Sequence, residues 1–308
     1  MSHFIGIEIG ATKLQVVLGD GYAQILERRR MGVDLARGVD GIREQIKGAV
    51  ADLTSRAKAD AVGVGFGGPI DIDTGRIAMS YHVDGWHGFE LRTWLAGLTG
   101  LEVAVDNDTN AGALAEAVLG AGREFRLVLY TNLGSGMGGG FVIDRRIYHG
   151  ARPGECELGL MRYDLSGKTV ESRCSGWAID ARVRDHVAAH PDGLLAELVG
   201  DATSGEARAL GPALARRDPA AETMLDELTT DLAYALSAAA HLLSPEVIII
   251  GGGLSLLGEP LRAALAGKLP GFITEAYKPG PKVRLSALGE DVVSRGALLL
   301  ARQSHQAQ

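Results

Sequence analysis

Five consecutive polar residues, Asp106-Asn107-Asp108-Thr109-Asn110, stand between an apolar β-type run and an alanine-rich stretch. Asp and Asn are good N-caps, so one of them is expected to cap the helix that follows. The others exceed that need. At the carboxyl end of a strand in an α/β sheet, side chains face the crevice where ligands sit, so an amide and a carboxylate there can hold a polyol and take its proton. Three glycine turns, at Gly10, at Gly134–Gly140 and at Gly251–Gly253, each follow an apolar strand. A side-chain-free turn lets several backbone N–H groups meet one anion, and Thr12 or Ser135 can add a hydroxyl donor. Taken singly, each run reads first as a tight hairpin. Glu157 and Glu171 lie in glycine-containing loops and read alone as solvated charges.

Other patterns lack the context their chemistry needs. Gly134, Gly136 and Gly139 satisfy G-x-G-x-x-G, but Phe141-Val142-Ile143 behind them is strand-like, and a dinucleotide turn needs a helix N-terminus there. Gly167-Lys168-Thr169 resembles the end of a phosphate-binding loop, yet Arg162 stands where its first glycine belongs. Cys156 and Cys174 are too few for a disulfide framework or a cysteine-rich zinc site and read as two buried thiols.

The elements that must position these residues follow from hydropathy patterning. Phe4 to Ile9 and Leu14 to Leu18 predict a hairpin, with a third strand over Ile25 to Arg29. Ile42, Ile46, Val50 and Leu53 recur at helical spacing. Strands are expected at Ala61 to Phe66, Val103 to Val105, Leu127 to Leu133, Phe141 to Asp144 and Val247 to Ile250. Helices are expected from about Thr109 to Leu119, through Leu225 to Leu236, and from about Asp291 to Arg302. Strand, glycine turn and strand occur at both Ile9–Leu18 and Leu133–Ile143, a topological echo of the opening. Alternating strands and helices define an α/β protein.

The chain has 308 residues, 46% hydrophobic and 22% charged, enough for about two domains and unlike a disordered sequence. Glycine, at 43 residues, is about twice as frequent as usual. A net charge of −7 without a long basic run argues against nucleic acid or an anionic membrane as partner. No apolar stretch approaches the ~18 residues of a membrane span, and the N-terminus has no basic region leading into an apolar core, so a cytoplasmic location is expected.

Five motifs in order resemble those of the ROK (repressor, open reading frame, kinase) family, over about Ile5 to Ala301. Glu8-Ile9-Gly10-Ala11-Thr12-Lys13 is similar to its first phosphate motif and Gly68-Pro69-Ile70-Asp71 to its glycine-proline loop beneath the sugar. Asp106 to Ala111 resembles its catalytic segment, Leu133 to Gly140 its second phosphate motif, and Val247 to Gly253 its adenosine segment. The resemblance implies an actin-like, hexokinase-type ATPase fold of two domains with a ligand cleft between them. The expected division is a smaller N-terminal domain, 1–118, completed by a C-terminal helix at 291–308, and a larger domain, 119–290.

The resemblance further implies ATP-dependent phosphorylation of a hexose or hexose-like sugar, glucokinase-like, by a homodimer using ATP and Mg²⁺. Asp108 matches the catalytic base; Gly68, Asn107, Asp108, Glu157 and Glu171 match sugar-binding positions. Gly10, Ala11, Thr12, Lys13, Gly134, Ser135, Gly136, Gly252 and Gly253 match nucleotide-binding positions, and Glu8 a Mg²⁺ position. There are departures: Glu8 replaces the usual aspartate, Ala11 a glycine, and Leu160 a histidine that in many members binds structural zinc. Leu165 to Val170 also holds none of the cysteines that accompany it, so no zinc site is expected. The other readings are a catalytically silent sugar sensor and a kinase with another donor, such as polyphosphate, or another acceptor, such as an amino sugar or cyclitol. A repressor is disfavoured by the acidic balance and by the seven residues ahead of Glu8.

Overall fold

The computed structural model describes residues 2–10, 13–33, 37–80, 83–151 and 153–307. Ala11 and Thr12, two expected nucleotide-binding positions, lie outside them. In chain order the first elements are β1 (His3–Ile9), β2 (Lys13–Asp20), β3 (Ile25–Gly32), α1 (Gly38–Arg56), β4 (Ala61–Phe66), β5 (Ile70–Asp71), β6 (Arg76–Ile77), α2 (Leu91–Thr99), β7 (Glu102–Asn107) and α3 (Asp108–Val118). Then follow β8 (Leu127–Leu133), β9 (Met137–Ile143), β10 (Arg146–Ile147), α4 (Glu171–Cys174), α5 (Gly176–Ala189), α6 (Leu194–Val199), α7 (Leu210–Ala215) and α8 (Pro219–Leu243). The chain ends with β11 (Val247–Gly251), α9 (Glu259–Phe272), β12 (Lys282–Leu285) and α10 (Val292–Gln306).

Two five-stranded sheets have the orders β3-β2-β1-β4-β7 and β10-β9-β8-β11-β12. In the first, β2 runs antiparallel to β1 and β3, while β1, β4 and β7 are parallel. In the second, β9 and β10 are antiparallel and β8, β11 and β12 are parallel. The echo between Ile9–Leu18 and Leu133–Ile143 is thus a repeat of sheet topology.

The chain forms two compact units, one of residues 1–120, 140–155 and 290–308, the other of 121–139 and 156–289. Residues 140–155, expected in the second domain, therefore group with the first unit. Bonds from Asp106 and Asn110 to His149 and Glu155 fasten that segment to α3 and the end of β7.

In the first unit Phe4–Ile9 and the whole of β4 are buried, which explains the unbroken apolar run at Ala61–Phe66 and the run at Phe4–Ile9 that only Glu8 interrupts. Ile5, Ile7, Val64, Ile46 and Leu53 belong to one core cluster. α10 approaches that sheet through glycine: a Cβ on Gly63 would lie 1.9 Å from the carbonyl oxygen of Ala297. A Cβ on Gly296 would lie 2.0 Å from the carbonyl oxygen of Ala111, so α10 and α3 touch backbone to backbone. In the second unit β11 is fully buried, and α8 buries Leu228, Leu232 and Leu236 one turn apart.

The glycine run at 134–140 is not one turn. It bends only at 134–136, and Gly138, Gly139 and Gly140 are in β9. Close packing explains glycine in a strand: a Cβ on Gly139 would meet the carbonyl oxygen of Cys156 at 2.3 Å, and one on Gly140 that of Thr109 at 2.8 Å.

Candidate active site

In the first unit, parallel pairing brings Ile9, Phe66 and Asn107 to the same end of β1, β4 and β7. Gly10, Gly67, Gly68 and Asp108 therefore emerge side by side at the carboxyl ends of neighbouring strands, where ligands of open α/β sheets bind. The Gly67 N–H donates to the carbonyl oxygen of Ile9 at 2.8 Å, tying the first glycine turn to the glycine-proline loop. Gly68 admits no side chain, since a Cβ would sit 2.8 Å from the carbonyl oxygen of Met79. Ile9, Gly10, Phe66, Gly67, Ser80, Val83 and Trp86 line a small cavity beside this loop.

Asn107 is the residue that caps α3. Its side-chain oxygen accepts the N–H groups of Thr109 and Asn110, and its amide donates to the carbonyl oxygen of Gly68 at 3.1 Å. Asn107 thus ties the glycine-proline loop to the start of α3. Asp108, half-buried, opens the helix, where the N-terminal dipole favours its negative charge. One carboxylate oxygen accepts the Thr109 hydroxyl at 3.3 Å, and the other stands 3.5 Å from where a Gly67 Cβ would be.

Glu8 is buried, and its carboxylate is held by Lys13 at 2.8 Å, Gln15 at 2.9 Å and Ser294 at 3.1 Å. Lys13 also donates to the carbonyl oxygen of Glu290. Glu8 and Lys13 are therefore braced by Ser294 of α10 and by Glu290 just before it, contacts invisible in the local sequence. Beneath Asp108, buried Asp106 accepts the Asn107 N–H, the Asn110 amide and a hydrogen bond from His149 at 2.8 Å; the Asn110 amide also reaches Glu155. Burial pulls the His149 pKa down, but the hydrogen bond to Asp106 and the charges of Asp106, Glu155 and Asp73 outweigh it and leave it raised. Potential metal-ligating atoms of Asp106, His149 and Glu155 lie within 4.8 Å of one another, and hydrogen bonds already join these groups. His149 and Glu155 were missed in the sequence; only Glu155, two residues before Glu157, carried any signal.

In the second unit, β8 and β11 pair in parallel with Asn132 opposite Gly251, so the Gly134–Gly136 and Gly252–Gly253 turns leave the sheet together. Gly252 adopts φ +80°, and a Cβ there would lie 2.4 Å from Asn132 Oδ1 and 2.5 Å from the carbonyl carbon of Leu133. Only glycine fits that contact. The carbonyl of Gly134 accepts the Gly176 N–H at 2.7 Å, which fixes the turn to the start of α5.

Glu171 is anchored at the start of β9, and the turn that follows Glu157 packs there too. Glu171 Oε2 accepts the Met137 N–H at 2.8 Å and would lie 2.7 Å from a Cβ on Gly136, so this carboxylate fills the space that glycine leaves. Half-buried Glu157 precedes a 3₁₀ turn, Leu158–Leu160, in which a Cβ on Gly159 would meet the carbonyl oxygen of Met137 at 2.1 Å. Leu160 is exposed on that turn.

Glycine turns at the ends of parallel strands in two topologically matching sheets, with a carboxylate opening the helix after β7, define a phosphotransferase-type α/β fold. The chain belongs to the ROK family, whose model matches residues 4–304. A glucokinase of Thermotoga maritima is 29% identical over 307 residues, 97% of each chain. The N-acetylgalactosamine kinase AgaK of Shewanella sp. ANA-3 is 28% identical over 308 residues, 96% of each. The crystal structure of a ROK family glucokinase from Streptomyces griseus with glucose and AMPPNP matches at a TM-score of 0.87 and 28% identity, covering 98% of this chain and all of that one.

Proposed function

We propose that this protein transfers the γ-phosphoryl group of ATP to a hydroxyl of a hexose, with glucose as the foremost acceptor. The observation that carries the reading is the position of Asp108: a carboxylate in the first turn of α3, beside the glycine-proline loop that Asn107 holds in place. Asp108 is the base that accepts the proton of the attacking hydroxyl. Asn107 and Gly68 shape the sugar's seat, and Glu157 and Glu171 accept hydrogen bonds from its other hydroxyls.

Phosphoryl transfer passes through a loose transition state, so positioning and charge stabilisation outweigh the base. The N–H groups of Gly134–Gly136 offer donors to phosphate, Gly252 packs tightly against Leu133, and Gly253, with nothing within 4 Å of a Cβ, leaves open room for the nucleoside. Lys13, beside Gly10, contributes positive charge. Mg²⁺ takes oxygen donors, usually one or two carboxylates with substrate phosphates. Glu8 suits it by donor type, with Lys13 as the competing cation at Oε1. When bound, the ion neutralises phosphate charge. The reading includes a homodimer in the ATP-holding cytoplasm. A net charge of −7 supports small-molecule partners rather than nucleic acid, and among the described residues no helix is long and apolar enough to cross a membrane.

The test is ADP release with ATP and Mg²⁺ against glucose, mannose, fructose, allose and amino or N-acetylated hexoses, with Asp108→Asn and polyphosphate as controls. Turnover with a hexose, lost in the variant, is expected. Silence across the panel with glucose still bound in calorimetry overturns the kinase reading.

A further inference from the structure

Asp231, on α8, is a carboxylate inside the protein, 4% exposed. Four donors converge on it. Arg173 grips it with both arms of its guanidinium, Nε to Oδ2 at 2.8 Å and Nη2 to Oδ1 at 3.0 Å. The Tyr163 hydroxyl donates to Oδ1 at 2.7 Å, and Arg182 Nη2 reaches Oδ2 at 3.4 Å. Arg173 also lies over the Tyr163 ring, 4.6 Å from its centre, and Tyr163 meets Tyr234 of α8 edge to face. Arg182 donates in addition to the carbonyl oxygen of Arg173, closing the end of α4.

These donors come from the loop before α4, from α4 and from α5, and all end on one residue of α8. α4 is four residues long, Glu171–Cys174, too short to be helical without tertiary contacts. Its first residue is Glu171, and Arg173 is two residues on. What holds Arg173 therefore helps to set the direction in which Glu171 leaves the backbone, together with buried Val170 and Cys174 on either side. Glu171 then reaches the Met137 N–H over Gly136, at the turn between β8 and β9.

We propose that Asp231 is a positioning residue: through Arg173 it orients α4 so that Glu171 meets the turn before β9, and it thereby sets the affinity for sugar. This rests on the reading of Glu171 as a sugar-binding group. A bidentate Arg–carboxylate pair suits such a task because two parallel bonds fix orientation as well as distance.

The experiment compares Asp231→Asn, Arg173→Lys, Glu171→Gln and the Asp231→Asn/Glu171→Gln double variant. The readouts are KM for glucose and kcat with ATP and Mg²⁺, thermal unfolding, and hydrogen exchange at the Met137 amide. Asp231→Asn is expected to raise glucose KM about tenfold or more, the factor of about 1.4 kcal/mol at one contact, with kcat within about threefold, and to speed Met137 exchange. The double variant is expected to have the KM of Glu171→Gln alone, because both changes act on one group.

Should Asp231→Asn fail to fold, Arg173→Lys, which keeps the charge but loses the fork, gives the same KM and exchange readouts. A lowered melting temperature with unchanged glucose KM and Met137 exchange in either variant overturns the proposal, as do KM effects that multiply in the double variant. If Glu171→Gln alone leaves glucose KM unchanged, the sugar role of Glu171 fails and the proposal with it; accelerated Met137 exchange in Asp231→Asn then marks the fault as lying in that role and not in the anchoring of α4.

Discussion

The side-chain amide of Asn107 donates to the carbonyl oxygen of Gly68 at 3.1 Å while its side-chain oxygen caps α3 through the Thr109 and Asn110 N–H groups. One residue thus joins the glycine-proline loop to the helix that begins with Asp108. Replacing it two ways separates the two jobs. Asn107→Asp keeps a capping oxygen but turns a donor into an anion facing the Gly68 carbonyl. Its thermal stability is expected within a few degrees of the parent, with glucose KM raised about tenfold or more. Asn107→Ala also loses the cap, which costs roughly 1 kcal/mol in urea unfolding. Parent-like glucose KM in Asn107→Asp would show that the loop and the helix act independently.

Asp108→Asn keeps size and hydrogen-bonding reach but cannot accept a proton. It is expected to lower kcat by about 10²- to 10⁴-fold, the range for a positioned base. Glucose affinity by calorimetry should stay within a few-fold, because loss of the base acts on the transition state and not on the ground state. Near-parental turnover in single-cycle measurements would remove Asp108 from the chemistry.

His149 and Asp106 make stability depend on pH in a defined window. The folded pKa of His149 is raised above its ordinary 6.5, so its contribution is complete below that value and is lost as pH climbs through the higher folded value. As pH rises above about 6.5, urea unfolding free energy of the parent is expected to fall more steeply than that of His149→Gln, which cannot titrate. The difference between the two curves isolates this residue from the other histidines. Parallel curves across that window would mean that the bond to Asp106 has no net effect.

Much of this was legible in the sequence because it was local. Ala61 to Phe66 reads as a strand from its apolar run, and β4 occupies those residues. Motif order along the chain pointed to Asp108, to the two glutamates and to the glycine turns. What was not legible depended on partners far away in the chain. Gly138 to Gly140 looked like a turn because nothing nearby announces that Cys156 and Thr109 press on that strand. Which of Asp106, Asn107 and Asp108 caps the helix is decided by the Gly68 carbonyl, 39 residues earlier. Asp231 carried no signal, since Arg173 and Tyr163 lie 58 and 68 residues before it. The same holds for residues 140–155, whose grouping with the first unit follows from the contacts of His149 and Glu155 with residues near the start of α3.

Two glycines test the packing of α10 against the first sheet. At Gly63 in β4, a Cβ would lie 1.9 Å from the carbonyl oxygen of Ala297 and 2.8 Å from the N–H nitrogen of Ala301. Those are backbone atoms of a helix that also meets α3 backbone to backbone at Gly296, so the helix cannot step aside locally. Gly63→Ala is therefore expected to destabilise the protein by about 1–3 kcal/mol or more. Gly48 lies exposed inside α1 with nothing within 4 Å of a Cβ, and alanine there is expected to stabilise by about 0.5–1 kcal/mol through helix propensity. Urea unfolding of both variants gives opposite signs if α10 is seated as described. A Gly63→Ala protein as stable as the parent would show that α10 can lift from β4, and the close approach at Gly296 would then lose its role in fixing α3 and Asp108.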